Sequence, residues 1–367
     1  MKLLCLCAWT AAVLQAAATP PNALLVLEKE QNTLVIVDPA SMTIVARVPV
    51  GDDPHEVAVS DDGKTAYISN YRNGSTISVV DLVAQKPMPP VDLGALRSPH
   101  GMEFINGKLY FTAEGAKVVA RYDPATQKID LVVGTGQDRT HMVIAAKDGK
   151  TMFTSNVSSA TVSIIEQTAG GPGGPGRGGP RPGGPPPGGG PGRGPGGQPG
   201  GQPGGRGGPG GRGPGNGGPD WKVSNVAVGG GAEGFDLSPD GKELWVANAS
   251  DGTISVVDVP GKKVVATIPS TKQANRLKIT QDGKYAFVSD MGAPELLIVD
   301  VAARKEFKRV KLEGNPEGVL LSPDGKFAYT TLSNHDSVAV IDLKTMKVTG
   351  EVKTGRGPDG LAWAARK

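Results

Sequence analysis

Short stretches in which apolar and polar residues alternate recur along almost the whole chain. A period of two residues is typical of β-strands with one buried face. Tight polar turns separate many of these stretches, and their Asp-Gly pairs suit the positive backbone angles of a hairpin. The clearest turns read Ser-x-Asp-Gly-Lys at residues 60–64, 238–242 and 322–326, with weaker copies at 106–108, 148–150 and 282–284. The pattern predicts an all-β protein built from antiparallel hairpins.

A second recurring phrase is a strand such as ISVVD or LLIVD that ends in an acidic residue. Seven copies are present, and they end at Asp38, Asp81, Asp123, Glu166, Asp258, Asp300 and Asp342. Acids at such regular intervals could be catalytic carboxylates. We interpret them instead as turn residues, because an Asp at the end of a strand accepts hydrogen bonds from the backbone of the turn that follows.

The chain repeats with a period near 42 residues. The repeats begin at Pro54, Pro99, Thr140, Ala232, Ala274, Pro316 and Pro358. Seven repeats of four strands predict a seven-bladed β-propeller. Residues 23–50 supply only three strands, and the residues after Pro358 supply one. We therefore expect the two ends to complete the seventh blade together, with the C-terminal strand innermost, which closes the ring without free sheet edges.

One interval, between Thr140 and Ala232, is 92 residues long because a segment dominated by Gly and Pro lies within it. This composition predicts disorder, and the lack of a strict three-residue glycine period excludes collagen. We divide the chain into a signal peptide at 1–18, a single propeller formed by 19–168 and 220–367, and a disordered loop insertion at 169–219 within the third repeat.

The first residues read as a secretory signal peptide. Lys2 precedes an apolar run, and the three alanines at 16–18 fit the small-residue cleavage pattern. The run is short for a membrane span, so we expect no membrane span after cleavage. We expect the mature protein to be periplasmic or secreted. Cys5 and Cys7 are the only cysteines and lie within this peptide. The mature protein is therefore expected to have neither disulfides nor thiolate ligands.

The excess of basic residues comes from outside the predicted propeller. The chain has 39 Lys and Arg against 36 Asp and Glu. Lys2 and five arginines of 169–219 are not in the propeller, which leaves 33 basic against 36 acidic residues and a net charge near −3. Nucleic-acid binding needs a basic surface, so none is expected for the propeller. We expect a monomer whose partner is a small polar ligand or a protein.

The repeats resemble those of a known family. The segments DDGKTAYISN, PDGKELWVAN, PDGKFAYTT and ISVVDL are similar to YVTN repeats, which are named after a strand of this type. The resemblance covers nearly all of residues 23–367 apart from the insertion. It implies a β-propeller. Members of the family are mostly exported proteins without an assigned reaction, so the resemblance implies little about activity.

The residue after each repeat start is polar in all seven repeats. These ring residues are His55, His100, His141, Glu233, Asn275, Glu317 and Asp359. They precede the innermost strands, so we expect them around the mouth of the central channel. The same face should carry His335 and the polar ends of the second strands, such as Asn70. Imidazole and carboxylate bind divalent metals, so His55, His100 and His141 are a candidate metal site.

Two other interpretations of the ring stay open. A polar side chain at this position could simply bond to the backbone of a turn between blades. Regular strand alternation would also turn His55 towards the neighbouring blade, on the face of Val57. The channel would then be lined by Glu56, Met142 and Arg276, and one step further in by Glu103, Asp236 and Lys278. An irregular entry into the strand would allow both sets of residues to face the channel. We therefore count Arg276, from the channel-lining set, and Asn70, from the same face, with the ring residues as candidate ligand-binding residues.

Two functions are compatible with this site. The first is a binding module, an exported propeller whose polar ring holds a small ligand, a divalent metal or a partner. The second is an enzyme. Residues 54–82 resemble the seven-bladed lactonases, which carry Pro-His before inner strands and Asn-Tyr-x-x-Gly-Ser after a second strand. His55, Asn70 and Tyr71 match that pattern, and His100 matches it in part. The resemblance implies a lactonase- or lyase-like reaction on the same face, with or without a divalent metal.

Overall fold

The computed structural model describes residues 17–72, 74–168, 220–270 and 272–367. The predicted signal peptide up to residue 16 and the predicted insertion at 169–219 lie outside the described residues. One compact unit of the chain takes in the described residues up to Glu166 and from Lys222 to Lys367. Within the described ranges, no helix is both long and apolar enough to cross a membrane.

The first fifteen strands begin the repeat pattern. The chain opens with β1 (Asn22–Glu28), β2 (Thr33–Asp38) and β3 (Thr43–Pro49). Blade 1 contains β4 (Pro54–Val59), β5 (Thr65–Asn70), β6 (Thr76–Asp81) and β7 (Lys86–Asp92). Blade 2 contains β8 (Pro99–Ile105), β9 (Lys108–Ala113), β10 (Val118–Asp123) and β11 (Lys128–Gly134). Blade 3 contains β12 (Thr140–Ala145), β13 (Thr151–Asn156), β14 (Thr161–Thr168) and β15 (Asp220–Ala227).

The remaining strands complete the pattern. Blade 4 contains β16 (Ala232–Leu237), β17 (Glu243–Asn248), β18 (Thr253–Asp258) and β19 (Lys263–Pro269). Blade 5 contains β20 (Ala274–Ile279), β21 (Tyr285–Asp290), β22 (Glu295–Asp300) and β23 (Lys305–Lys311). Blade 6 contains β24 (Pro316–Leu321), β25 (Phe327–Leu332), β26 (Ser337–Asp342) and β27 (Lys347–Lys353). The last strand is β28 (Pro358–Ala365), and two short 3-10 helices occupy Lys29–Gln31 and Glu114–Ala116.

The described residues form a seven-bladed β-propeller with four antiparallel strands in each blade, as predicted. Strand β28 pairs with β1, so blade 7 has the order β28-β1-β2-β3 and joins the two ends of the chain. The innermost strands of neighbouring blades contact one another around the central channel. We call the face where the chain enters these strands the histidine face. The opposite face carries the Asp-Gly turns and is called the turn face.

The core lies between the blades. Second strands are almost wholly buried, as in β17, where only Glu243 is not buried, whereas in the outermost strand β23 only Val310 is buried. Side chains from adjacent blades interlock, and one cluster joins Trp245 of blade 4 to Leu277 and Leu297 of blade 5. Close packing of this kind accounts for the apolar alternation in the sequence.

Five of the seven acids at the ends of the third strands cap turns, as predicted, whereas Glu166 pairs with Lys262. The carboxylate of Asp38 accepts a hydrogen bond from Ala40 N at 2.9 Å, and that of Asp342 accepts one from Thr345 N at 2.7 Å. Equivalent backbone bonds reach Asp81, Asp123 and Asp300. These carboxylates therefore serve the turns and do not point into the channel.

Each inner strand carries one extra residue close to its start. In blade 1, Pro54 pairs with Asn70 and Val57 with Ile68, so three steps along β4 match two along β5. The same shift occurs in the other six blades. A β-bulge interrupts the alternation of side chains between the two faces of a strand. The ring residue and the residue after it can therefore both face the channel. The choice between His55 and Glu56 as the channel-facing residue, which the sequence left open, does not arise.

A hydroxyl on the second strand holds the bulge in most blades. The amide that follows the ring residue donates to a Ser or Thr in five blades, at 3.0 Å for Glu56 and Ser69 and 2.7 Å for Gly318 and Thr331. The other three donors are Gly101, Met142 and Arg276. An amide left over by the bulge is thus satisfied inside the protein.

Glycine follows the ring residue in four blades because neighbouring inner strands approach closely there. A Cβ atom at Gly101 would lie 2.5 Å from Met142 Cα and 2.6 Å from His141 O. Similar contacts with the next blade would occur at Gly234, Gly318 and Gly360. The backbone of the next blade cannot withdraw without opening the ring.

The variant Gly101→Ala should therefore destabilise the protein. We expect a loss of about 1–3 kcal/mol in the free energy of unfolding, because the new methyl group overlaps backbone atoms of blade 3. Gly134→Ala is the matched control, since a Cβ there meets no atom within 4 Å. Urea denaturation measures both variants, and equal stability of the two would contradict this account of the glycine.

Candidate functional site

Three histidine rings form a row at the mouth of the channel. The ring centroids of His100 and His141 are 3.7 Å apart with an angle of 29° between the planes, and His55 lies 5.3 Å from His100. Tyr71 packs against His55 at 4.6 Å and against His100 at 4.8 Å. The sequence prediction that these residues meet on one face thus agrees with their placement in blades 1, 2 and 3.

His141 is clamped between two carboxylates. Its Nδ1 lies 2.5 Å from Glu114 Oε1, and its Nε2 lies 2.7 Å from Glu233 Oε2. The Tyr71 hydroxyl donates to the other oxygen of Glu114 at 2.6 Å. Burial alone would lower the pKa of His141, but the two carboxylates outweigh it and raise the pKa above its usual value. With both nitrogens donating, His141 is an imidazolium cation.

The carboxylates respond in the opposite direction. Burial would raise the pKa of Glu233, but the charges of His141 and Arg276 outweigh burial and lower the pKa to about 2. Burial is likewise outweighed at Glu114, where the hydrogen bond and charge of His141 lower the pKa. The cluster is therefore held together by charge at neutral pH.

His100 is the least satisfied member of the row. The residue is 1% exposed, and its buried Nδ1 has no hydrogen-bond partner among the described residues. Burial lowers the pKa of His100 well below its usual range, and the charges of His141 and His55 act in the same direction. His100 is thus a neutral imidazole stacked on a charged one.

Arg276 extends the network across the channel. Its Nη2 donates to Glu56 Oε1 at 2.6 Å, and its Nη1 lies 3.8 Å from Glu233 Oε2. The buried Nη1 has no hydrogen-bond partner within the described ranges. Burial would lower the pKa of Arg276, but Glu56, Asp359 and Glu233 outweigh it, so the guanidinium stays charged.

Lys29 joins the ring residues of blades 6 and 7. Its Nζ lies 3.1 Å from Asp359 Oδ2 and 3.6 Å from Glu317 Oε2. Burial and the charge of Asp359 raise the pKa of Glu317. Asp359 also lies 3.9 Å from His55 Nε2, which completes the link back to blade 1. The sequence analysis did not identify Lys29 as a site residue. Lys29 follows β1, the second strand of blade 7, and such positions lie on the histidine face.

The other candidate residues lie around this network. Asn275 is buried, and its backbone carbonyl packs against Gly234. The Asn70 side chain bonds within its own blade, donating to Thr76 at 2.8 Å and accepting from Ser78 at 3.1 Å. His335 is on the same face but near the rim, 3.2 Å from Lys353 Nζ. The structure thus brings the six other ring residues together with Arg276, and leaves Asn70 at the end of β5, where it bonds within blade 1.

The histidines do not converge on a common point. The rings of His100 and His141 stack, the ring of His55 is tilted by 59° against that of His100, and both nitrogens of His141 already contact carboxylates. Among the residues that the structure describes, no group of three or more His, Cys, Asp or Glu side chains is arranged to hold a metal ion. Metal ligation needs lone pairs directed at one ion, so the arrangement gives no support to a metal held by His55, His100 and His141.

A cavity of about 540 Å³ lies in the channel beneath the ring. We call it the chamber. It is bordered by Gln281 and Pro323 towards the turn face. Its charged lining consists of Glu56, Glu103, Asp236, Arg276, Lys278 and Asp359. Glu56, Met142, Arg276, Glu103, Asp236 and Lys278 line it as regular alternation predicted, so they are correctly placed in the channel.

Comparison with known proteins identifies structures of the same fold but does not identify a function. No protein-family model and no curated protein matches the chain. The chain is similar to a functionally unknown protein from Desulfotomaculum acetoxidans DSM 771, with 10% identity, 94% of this chain and 100% of the other covered, and a TM-score of 0.69. It is also similar to a putative 6-phosphogluconolactonase from Bacteroides fragilis NCTC 9343, with 13% identity, 95% and 99% covered, and a TM-score of 0.67.

A putative 6-phosphogluconolactonase from Bacteroides uniformis ATCC 8492 has 14% identity, 93% of this chain and 99% of the other covered, and a TM-score of 0.65. Identities this low establish a shared propeller fold alone. The resemblance to lactonases therefore extends to the architecture, and membership of the YVTN-repeat family stays a prediction.

The variant Glu233→Gln should weaken the protein most between pH 4.5 and 6.5. The raised pKa of His141 contributes stability that is complete below 6.5 and declines as the pH rises through the folded value. The lowered pKa of Glu233 contributes stability that is complete above 4.5 and declines as the pH falls towards 2. The two contributions overlap in that window, where we expect a loss of about 1–3 kcal/mol.

Urea denaturation of the wild type and the variant across pH 3 to 9 measures this difference. His100 is present in both proteins, so its own titration does not contribute to the difference between them. Glu306→Gln serves as the control because its carboxylate is 48% exposed and pairs on the outer surface with Arg309. A loss of stability at Glu233→Gln that is independent of pH would contradict the charged state assigned to His141.

Proposed function

We propose that the protein is an exported binding module that holds a small polar ligand in its central channel. The observation that carries this proposal is the chamber, whose volume falls within the range of small-molecule sites and whose lining contains charged groups of both signs. Fixed polar groups in a concave cavity orient a ligand and select it against others. The ring residues lie above the chamber, and their charged groups are paired mostly with one another or with Lys29 and Glu114.

The charges also restrict the ligand class. Arg276 is paired with Glu56, Lys278 with Asp236, and Lys29 with Asp359. A phosphate group brings about two further negative charges and would compete with these carboxylates for every cation. We therefore propose an unphosphorylated ligand, unlike the one named for the putative 6-phosphogluconolactonases. Export rests on the predicted signal peptide at 1–18.

Filling the chamber should abolish ligand binding. Ile144→Trp places an indole in the cavity wall, whereas Val132→Trp makes a similar change on an outer strand where the side chain is 51% exposed. We expect a screen of small unphosphorylated polar compounds by ligand-detected NMR to find compounds that bind the wild type and Val132→Trp but not Ile144→Trp. Hits that bind all three proteins equally would refute the chamber as the site.

A lactonase is the second candidate function, and one observation favours it. His55 Nδ1 lies 3.1 Å from the Asp53 carbonyl oxygen. A carbonyl oxygen can only accept a hydrogen bond, so this contact favours the tautomer with the proton on Nδ1 and the lone pair on Nε2. His55 is also the most exposed of the three histidines in the row, with 16% of its side chain accessible. A general base at this position could activate water for the opening of a lactone ring.

The lactonase proposal predicts that His55→Gln slows hydrolysis of an uncharged lactone such as glucono-δ-lactone. General-base catalysis contributes on the order of a hundredfold or more, so the loss should reach that size. His335→Gln is the control, because that histidine lies near the rim. Titration of the released acid at constant pH measures the rate. Wild-type hydrolysis no faster than the buffer background would leave the binding module as the function.

A further inference from the structure

Two walls of opposite charge face each other across the chamber. Arg276 and Lys278 are two residues apart on β20 of blade 5, so both side chains point into the channel. In a closed ring of seven, the position opposite blade 5 falls between blades 1 and 2. Those blades contribute Glu56 from β4 and Glu103 from β8. The chamber therefore has a cationic wall and an anionic wall.

The pair nearer the histidine face is closed. Arg276 Nη2 and Glu56 Oε1 are 2.6 Å apart, although their residues are 220 positions apart in the chain. This bridge crosses the channel directly below the ring residues and closes the chamber on that side. One donor of the guanidinium is left over, because Nη1 is buried without a hydrogen-bond partner among the described residues.

The pair nearer the turn face is open. In the described part of the chain, Lys278 Nζ forms an ion pair only with Asp236, at 3.5 Å, and Glu103 forms none. Glu103 accepts a hydrogen bond from Ala145 N through Oε2. Burial raises the pKa of Glu103 to about 7. A carboxylate enclosed by protein without a cation is energetically costly, and a bound cation would compensate for it.

We propose that this open pair binds a small zwitterion, whose carboxylate contacts Lys278 and whose ammonium group contacts Glu103. The chamber lining has four acids and two bases, so an ammonium group reduces the excess of negative charge that a simple acid would increase. A neutral ligand with two charged ends also fits between walls of opposite sign. This inference rests on the proposed function and specifies the ligand class of the same chamber.

A graded set of ω-amino acids tests the proposal: glycine, 4-aminobutanoate and 6-aminohexanoate, beside butanoate and butylamine, which each carry one of the two charges. Isothermal titration calorimetry on the full chain measures their affinities. We expect one length of zwitterion to bind at least about tenfold more tightly than either singly charged compound. Its affinity should rise several-fold from pH 6 to pH 8, because Glu103 ionises in that range while an alkyl ammonium group stays charged.

Glu103→Gln and Lys278→Met should each weaken this binding at least about tenfold. The controls Glu306→Gln and Lys242→Met, on exposed side chains, should leave it unchanged. The conservative variants Glu103→Asp and Lys278→Arg keep both charges and should keep most of the binding, so the proposal stays testable even if a neutral variant folds poorly. Thermal melting of each protein verifies that it is folded.

Zwitterions that bind no better than butanoate and butylamine, or that bind Glu103→Gln and Lys278→Met as well as the wild type, would overturn the proposal. The outcome for the chamber is read separately. If the screen still finds compounds that bind the wild type and Val132→Trp but not Ile144→Trp, the proposed function stands and only the ligand class is wrong. If no compound of any class depends on the cavity, both proposals fail.

Discussion

The architecture of the channel depends on the hydrogen bond that satisfies the bulged amide in most of the inner strands. In five blades a Ser or Thr hydroxyl accepts from that amide. In three of these blades the same hydroxyl donates to a carbonyl of the next blade, as Thr112 does to His141 O at 2.6 Å. A buried amide without a partner is costly, so one small side chain both permits the bulge and links neighbouring blades.

The bulge explains why the channel has two chemically distinct layers. It brings two consecutive residues to the channel at each strand entry, after which the ordinary alternation resumes. The ring residues form the upper layer, where His141 lies between Glu114 and Glu233 and Lys29 lies between Asp359 and Glu317. Their charges are largely consumed by one another. The residues below them face a cavity and keep part of their charge available.

This division bears on function more than the fold does. Propellers of similar shape include proteins described as putative 6-phosphogluconolactonases, but at 13–14% identity the shape carries no information about the ligand. The information about the ligand lies in the distribution of charges in this channel, with Arg276 and Lys278 on one wall and Glu56 and Glu103 opposite. The low dielectric of an enclosed cavity makes such a distribution selective, because an unmatched charge on a ligand is costly there.

The sequence by itself determined the number of blades, the order of their strands, the closure of the ring by both chain ends, and the positions that surround the channel. These properties follow from hydrophobic period and turn residues, which are local. It also held unused signals, namely the glycine after His100, Glu233, Glu317 and Asp359. Only the tertiary structure decided that the three histidines pack in a row, with His100 stacked on His141, rather than converge on one point. It also decided that Arg276 bonds to Glu56 while Lys278 stays apart from Glu103. Those contacts join residues of different blades far apart in the chain, and their geometry depends on rotamers and on the bulges, which no local pattern encodes.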